Sequence, residues 1–152
     1  MTTGKVNGEE VTVEEVTEAT PDVAAALSRL VPQLSRSSAV PTGAELAEMV
    51  ASAATVVLVA RDDGGEIVGT LTLALFLIPT GVRAWIEDVV VDEGARGAGV
   101  GEALTRAALE RAGAAGARTV DLTSRPSREA ANRLYRRLGF EPRDTTVYRY
   151  SV

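Results

Sequence analysis

The sequence predicts an α/β fold of the α+β kind, in which one mixed, mostly antiparallel central sheet is flanked by helices. Three observations carry this. Residues 55–92 read as three strands joined by two tight turns, an antiparallel meander. Residues 96–101 form a glycine-rich turn between a strand and a helix. A further strand follows that helix, and because such crossovers are right-handed it should lie parallel to the strand before the turn.

Taken in order, residues 1–8 are polar and are expected to be a disordered tail, with a single domain over 9–152. Glu10 to Glu18 alternates imperfectly through Val11, Val13 and Val16 and reads as a strand. Thr20-Pro21-Asp22 supplies an N-cap, a proline at the first helical position and an acid in the first turn. Val23, Ala26, Leu27, Leu30, Val31 and Leu34 then fall on one helical face, and Pro32 should kink or end that helix. A loop over 35–42 leads to a short helix over 43–52 capped by Thr42.

Thr55 to Ala60 is apolar and β-branched, as a strand buried on both faces requires. Asp62-Asp63-Gly64-Gly65 turns the chain into a long strand over Ile67–Ile78, and Pro79-Thr80-Gly81 turns it again into Arg83–Asp92. Val100, Ala103, Leu104, Ala107 and Ala108 give the next helix its buried stripe, ending near Gly113 or Gly116. Arg118–Thr123 is the parallel strand. Ser127 should cap a helix with Ala131, Leu134 and Leu138 inward and Gly139 as its stop, and Thr146–Ser151 reads as a last strand. The predicted order is β-α-α-β-β-β-α-β-α-β.

Composition excludes several chemistries. The 152 residues contain no cysteine, so disulfides, thiolate metal sites and an acyl-cysteine intermediate are ruled out. They contain no histidine, which removes the usual general base and the commonest metal ligand; no metal is expected. Acid–base work then falls to carboxylates, tyrosine, lysine, backbone or water. A net charge of -5 argues against a nucleic-acid partner and suits a cationic substrate such as an amine. The N-terminus carries no secretory pattern, and the longest apolar run, near Leu71–Pro79, is too short to span a membrane, so a cytoplasmic protein with no membrane partner is expected. The bias to Ala, Gly, Val and Arg reads as bacterial.

The stretch Arg96-Gly97-Ala98-Gly99-Val100-Gly101 is the main chemical signal. A glycine turn feeding a helix N-terminus aims backbone N–H groups and the positive end of the helix dipole at one point, an anion site. The dinucleotide pattern Gly-x-Gly-x-x-Gly fails, because Glu102 and Leu104 stand where its last glycine belongs. The triphosphate-loop pattern fails because Val100 and Gly101 stand where Lys and Ser/Thr belong.

This loop, the order of elements and a second signature, Ala130-Ala131-Asn132-Arg133-Leu134-Tyr135 through Gly139-Phe140, together resemble the GNAT family of N-acetyltransferases over residues 11–152. The resemblance implies acetyl-coenzyme A as cosubstrate. It implies that backbone groups of 96–101, with Val100 and Gly101 central, hold the pyrophosphate, and that the strand segment Val89, Val90 and Val91 runs along the pantetheine arm as an added strand would. For this the parallel strands must splay apart, which the family achieves with a β-bulge. It implies Asn132 as a hydrogen-bond partner of the coenzyme arm and a homodimer as one option.

Glu87 and Asp88 sit inside the strand before the loop. Neighbours on a regular strand face opposite ways, so without a bulge only one faces an acceptor. An attacking amine must be neutral, and a carboxylate can take its proton directly or through water. Glu87, nine residues before Arg96, stands where many family members keep a glutamate for this role; binding the substrate ammonium and a structural ion pair are the alternatives, and Asp88 is a second candidate for contact with the acceptor. Tyr135 is the candidate general acid for the departing thiolate. The implied function is acetyl transfer to a primary amine by direct attack in a ternary complex; a non-catalytic acyl-coenzyme A sensor on the same fold is the alternative. The acceptor, small molecule or peptide, is not readable: a peptide lysine or N-terminus, a polyamine, an antibiotic and an amino-sugar phosphate all stay open.

Overall fold

Six strands pair in chain order in the computed structural model, which describes residues 2–6 and 9–152. They are β1 (Thr2–Val6), β2 (Glu9–Glu15), β3 (Thr55–Arg61), β4 (Ile67–Ile78), β5 (Gly81–Val91) and β6 (Val120–Asp121). The described residues also hold four α-helices: α1 (Pro21–Leu34), α2 (Gly43–Ala51), α3 (Val100–Ala114) and α4 (Glu129–Arg137). The first five strands are antiparallel neighbours, and β6 pairs parallel to β5. This is the mixed sheet the sequence predicts. The chain packs as two compact units, Met1–Leu122 with the sheet and α1–α3, and Thr123–Val152 with α4.

The local signals act as their chemistry dictates. Thr20 caps α1 by accepting from Val23 N, and Pro21 opens the helix. Pro32 lies inside α1, but the helix ends two residues later, so the lost donor costs one bond near its end. Thr42 and Glu45 form a reciprocal capping box on α2. The apolar faces of α1 and α2, including Val23, Leu27, Leu30 and Leu46, bury Val57, Val59, Ile67 and Val90 on one face of the sheet. On the other face α3 lies close, and Gly69 is what allows it. A Cβ on Gly69 would stand 2.8 Å from Val100 Cγ1 and 3.1 Å from Leu104 Cδ1. That close seat fixes where the N-terminus of α3 begins.

Four expectations need correction. Of the tail expected to be disordered, residues 2–6 form β1, paired to β2 from Thr2↔Val13 to Val6↔Glu9, and residues 1, 7 and 8 lie outside the described residues. The parallel strand is two residues long, Val120–Asp121, because only Ala84 and Trp85 find partners across it. Helix α4 begins at Glu129 with Arg128, not Ser127, at its cap position, and Tyr135 is its buried residue. The strand expected over 146–151 is absent: residues 141–152 are exposed and form no regular element, since apolar alternation makes a strand only where a neighbour supplies the ladder. Tyr148 and Tyr150 are about nine-tenths exposed there.

Candidate active site

One extra residue in β5 decides which groups reach its open edge. Thr72 pairs with Glu87 and Thr70 with Val90, so one intervening residue on β4 stands against two on β5. Asp88 and Val89 share the place opposite Leu71, a β-bulge. Asp88 has φ of 50°, and among the described residues it alone is left-handed without being glycine. Aspartate tolerates this conformation better than most residues because its short polar side chain bonds locally.

The bulge inverts the direction of the backbone. Along a strand, successive residues send their N–H and C=O groups to alternate sides. Ala84 N donates to Thr119 O, toward β6, at 3.1 Å, so before the bulge even-numbered residues face β6. Asp92 N donates to Val68 O, toward β4, at 2.8 Å, so after the bulge odd-numbered residues take over that side. Val89 and Val91 therefore turn their N–H and C=O groups to the side of β5 away from β4. The parallel ladder has already ended there, since its rungs are Ala84↔Val120 and Trp85↔Asp121. Beyond Trp85 no strand among the described residues pairs with this edge. Val90 is different: its backbone faces β4 and its side chain is 5% exposed in the core, so it offers the edge nothing.

Glu87 and Asp88 are both exposed. Among the described residues neither carboxylate makes an ion pair, so nothing supports the structural-pair reading of Glu87. Glu87 shares its face with Val90 and so lies on the α1–α2 side of the sheet, with its oxygens left to solvent or a ligand.

After β5 the chain makes a short 3-10 turn, Glu93–Ala95, and then the glycine loop. Asp92 starts that turn by accepting from Gly94 N at 3.4 Å. Gly97 and Gly99 both have positive φ, 85° and 80°. Gly99 is the N-cap of α3, and no side chain caps the helix. The first-turn N–H groups of Val100 and Gly101 therefore have no intrahelical carbonyl to reach, while the helix dipole adds positive potential. Ala98 is half-buried, and Arg96 is exposed and makes no ion pair among the described residues. A Cβ on Gly97 would meet nothing within 4 Å, so the loop surface is open. A bare helix N-terminus beside a free strand edge fits a ligand that carries a phosphate at one end and amides along an arm. No cluster of three or more metal-ligating side chains occurs among the described residues, and no described helix is long and apolar enough to cross a membrane.

The other candidates lie in the second unit. Tyr135 is 7% exposed, and its ring meets Phe140 edge-on at 5.7 Å. Phe140 N donates to Tyr135 O at 2.9 Å, and Gly139, with φ of 97°, makes the turn that allows it. The Tyr135 hydroxyl has no hydrogen bond among the described residues. Burial pushes the phenol above its ordinary pKa, while the Arg128 charge pulls the other way. Asn132 Nδ2 donates to Arg125 O at 3.0 Å, so part of the amide braces its own loop while Oδ1 keeps acceptor capacity.

Sequence reasoning placed Asp88 as a contact for the acceptor but did not foresee its backbone conformation, the positive φ at the bulge. It missed two further features. Gln33 and Arg29 on α1 reach the end of β5, 59 or more residues away at Gln33, which no local pattern reveals. Ser124 Oγ is buried without a partner among the described residues.

Comparison with known proteins bears on this geometry. No curated protein matches the sequence. A transcriptional regulator from Bacillus halodurans is 28% identical, with 93% of this chain and 99% of that one covered and a TM-score of 0.76. An acetyltransferase from Trypanosoma brucei is 27% identical over 93% and 99% of the two chains, with a TM-score of 0.74. The structure of AAC(6')-Iy in complex with a bisubstrate analogue, CoA-S-monomethyl-acetylneamine, shares the fold at a TM-score of 0.75 with 17% identity, covering 93% and 98%. The model of the acetyltransferase (GNAT) family matches residues 26–140, three-quarters of the chain including most of α1, the bulge, the glycine loop and α4, and the chain belongs to that family.

Proposed function

We propose that this protein transfers an acetyl group from acetyl-coenzyme A to a primary amine, by direct attack within a ternary complex. The observation that carries this reading is the inverted backbone at Val89 and Val91, followed within a few residues by the uncapped N-terminus of α3. Together they make a backbone-lined track that ends in an anion site, the shape and polarity of pantetheine and pyrophosphate. The neighbour solved with the bisubstrate analogue CoA-S-monomethyl-acetylneamine supports an amine acceptor beside the coenzyme.

Each residue then has a chemical task. Val100 and Gly101 N–H groups bind the pyrophosphate, with Gly97 and Gly99 giving the loop its path and Arg96 adding positive charge. Val89 and Val91 bind the pantetheine amides as a neighbouring strand would. Glu87 takes a proton from the amine, directly or through water, so that nitrogen presents a lone pair. As the amine nitrogen bonds to the acetyl carbon, a backbone N–H at Val89 stabilises the charge growing on the carbonyl oxygen. Tyr135 gives its phenolic proton to the sulfur as the carbon–sulfur bond breaks. The chain has no cysteine to carry the acetyl group, which favours one-step transfer.

Initial-velocity patterns test the route. Lines that intersect when acetyl-coenzyme A and an accepted amine are varied together support a ternary complex. Parallel lines would refute it.

A further inference from the structure

We propose that Gln33 on α1 is a positioning residue for the coenzyme loop: it fixes the point where β5 turns into that loop, and so sets coenzyme affinity from a helix that offers no group to the coenzyme. The inference rests on reading the glycine loop as the pyrophosphate site.

Four contacts converge on this junction. Gln33 Oε1 accepts from Glu93 N at 3.0 Å. Gln33 Nε2 reaches Asp92 Oδ1 at 3.5 Å and Arg29 O at 3.3 Å. One turn earlier on the same face, Arg29 donates to Ile67 O at 2.6 Å and stands 3.8 Å from Asp92 Oδ2. Asp92 in turn accepts from Gly94 N and so starts the 3-10 turn. The side chain of one half-buried glutamine thus spans both residues at which strand gives way to loop.

The contacts are unequal. The Arg29–Asp92 pair is long and its arginine 42% exposed, so it contributes little. The bond from Glu93 N–H to Gln33 matters more, because it ties down a backbone donor just before the glycines. Losing it would let residues 93–99 sample orientations in which the Val100 and Gly101 N–H groups no longer converge. The coenzyme would then have to bind a loop that is ordered only part of the time, which weakens affinity without altering the reacting groups.

The test compares wild type with Gln33→Met, which keeps length and helix propensity but removes both hydrogen-bonding atoms, and with Gln33→Ala as a second variant. Coenzyme A itself is the titrant. Both variants should bind it about 5- to 10-fold more weakly, the effect of one lost hydrogen bond. Amide exchange in 93–99 should quicken, the KM for acetyl-coenzyme A should rise, and kcat at saturation and the KM for the amine should stay within about twofold. Unchanged coenzyme A affinity in both variants, beside a wild type that binds it, overturns the inference and leaves the reading of the loop standing. A general fall in Tm with kcat and both KM values moving together also overturns it, because a merely structural role does that. A wild type that binds no coenzyme A refutes the reading of the loop and the inference with it.

Discussion

Glu87 and Val90 stand on the same face of β5 although they are three positions apart in sequence. In a regular strand they would face opposite ways. The extra residue that reconciles them lets Val90 fill the α1–α2 core while Glu87 stays at its rim. The same residue turns the Val89 and Val91 backbone outward. Core packing and the proposed coenzyme edge thus depend on one backbone conformation, that of Asp88.

If the backbone of Asp88 matters and its carboxylate does not, Asp88→Gly should keep turnover within about fivefold, a change worth ~1 kcal/mol. Glycine relieves roughly 1 kcal/mol of left-handed strain and loses a similar amount in chain entropy, so stability should barely move. Asp88→Val should behave differently. A β-branched residue resists positive φ, and if the bulge resets, the Val89 N–H turns away; kcat/KM should fall about 100-fold or more, as when an oxyanion donor is lost. Equal loss in the glycine and valine variants would point to the carboxylate instead.

Glu87→Gln removes the proposed base but keeps the shape. Turnover should drop by about 10²–10⁴-fold, with coenzyme A affinity unchanged because no coenzyme contact is altered. Since Glu87 is exposed and unpaired among the described residues, Tm should change by no more than a degree or two, that is, by about 0.5 kcal/mol or less. A variant with full kcat would remove Glu87 from the mechanism.

Tyr135→Phe should lower kcat far more than coenzyme A affinity. The tyrosine also predicts a pH effect on stability. Its phenol is raised above the ordinary 10.0 by burial, so its contribution is complete below that value and is lost as pH rises through the raised one. Melts across about pH 8–11 should show the wild type losing Tm more steeply than Tyr135→Phe at the alkaline end. Parallel curves would mean the phenol titrates as if unburied.

Gly69→Ala tests whether the seat of α3 matters to the loop it starts. The new methyl would meet Val100 Cγ1 at 2.8 Å and Val90 O at 3.3 Å. Overpacking of this kind costs about 1–3 kcal/mol. A lowered Tm together with weaker coenzyme A binding is expected; weaker stability with unchanged binding would separate the helix seat from the site.

Much of this was legible in the sequence because it rests on local chemistry. Thr20-Pro21-Asp22 and the Thr42–Glu45 box announce their helices, Asp62 to Gly65 announces a hairpin, and the turn from Arg96 to Gly101 announces a strand–helix junction. What stayed hidden depends on pairing. Alternation at Thr146–Ser151 looks like a strand, yet no neighbour completes it, while the polar residues 2–6 do find one in β2. The bulge is a property of two strands counted against each other, so Glu87 and Asp88 could be noticed but not oriented. The Gln33 bond to Glu93 joins residues 60 apart.

The central claim is amine-dependent acetyl transfer, and thiol release from acetyl-coenzyme A tests it most directly. The protein is incubated with acetyl-coenzyme A and a panel of polyamines, aminoglycosides, amino-sugar phosphates and lysine-bearing or free N-terminal peptides. The account predicts that at least one amine raises thiol release well above the amine-free background, with the acetylated amine as product. A clear thermal shift on adding acetyl-coenzyme A, with no amine in the panel raising thiol release above hydrolysis, would contradict it and leave a coenzyme-binding module in its place.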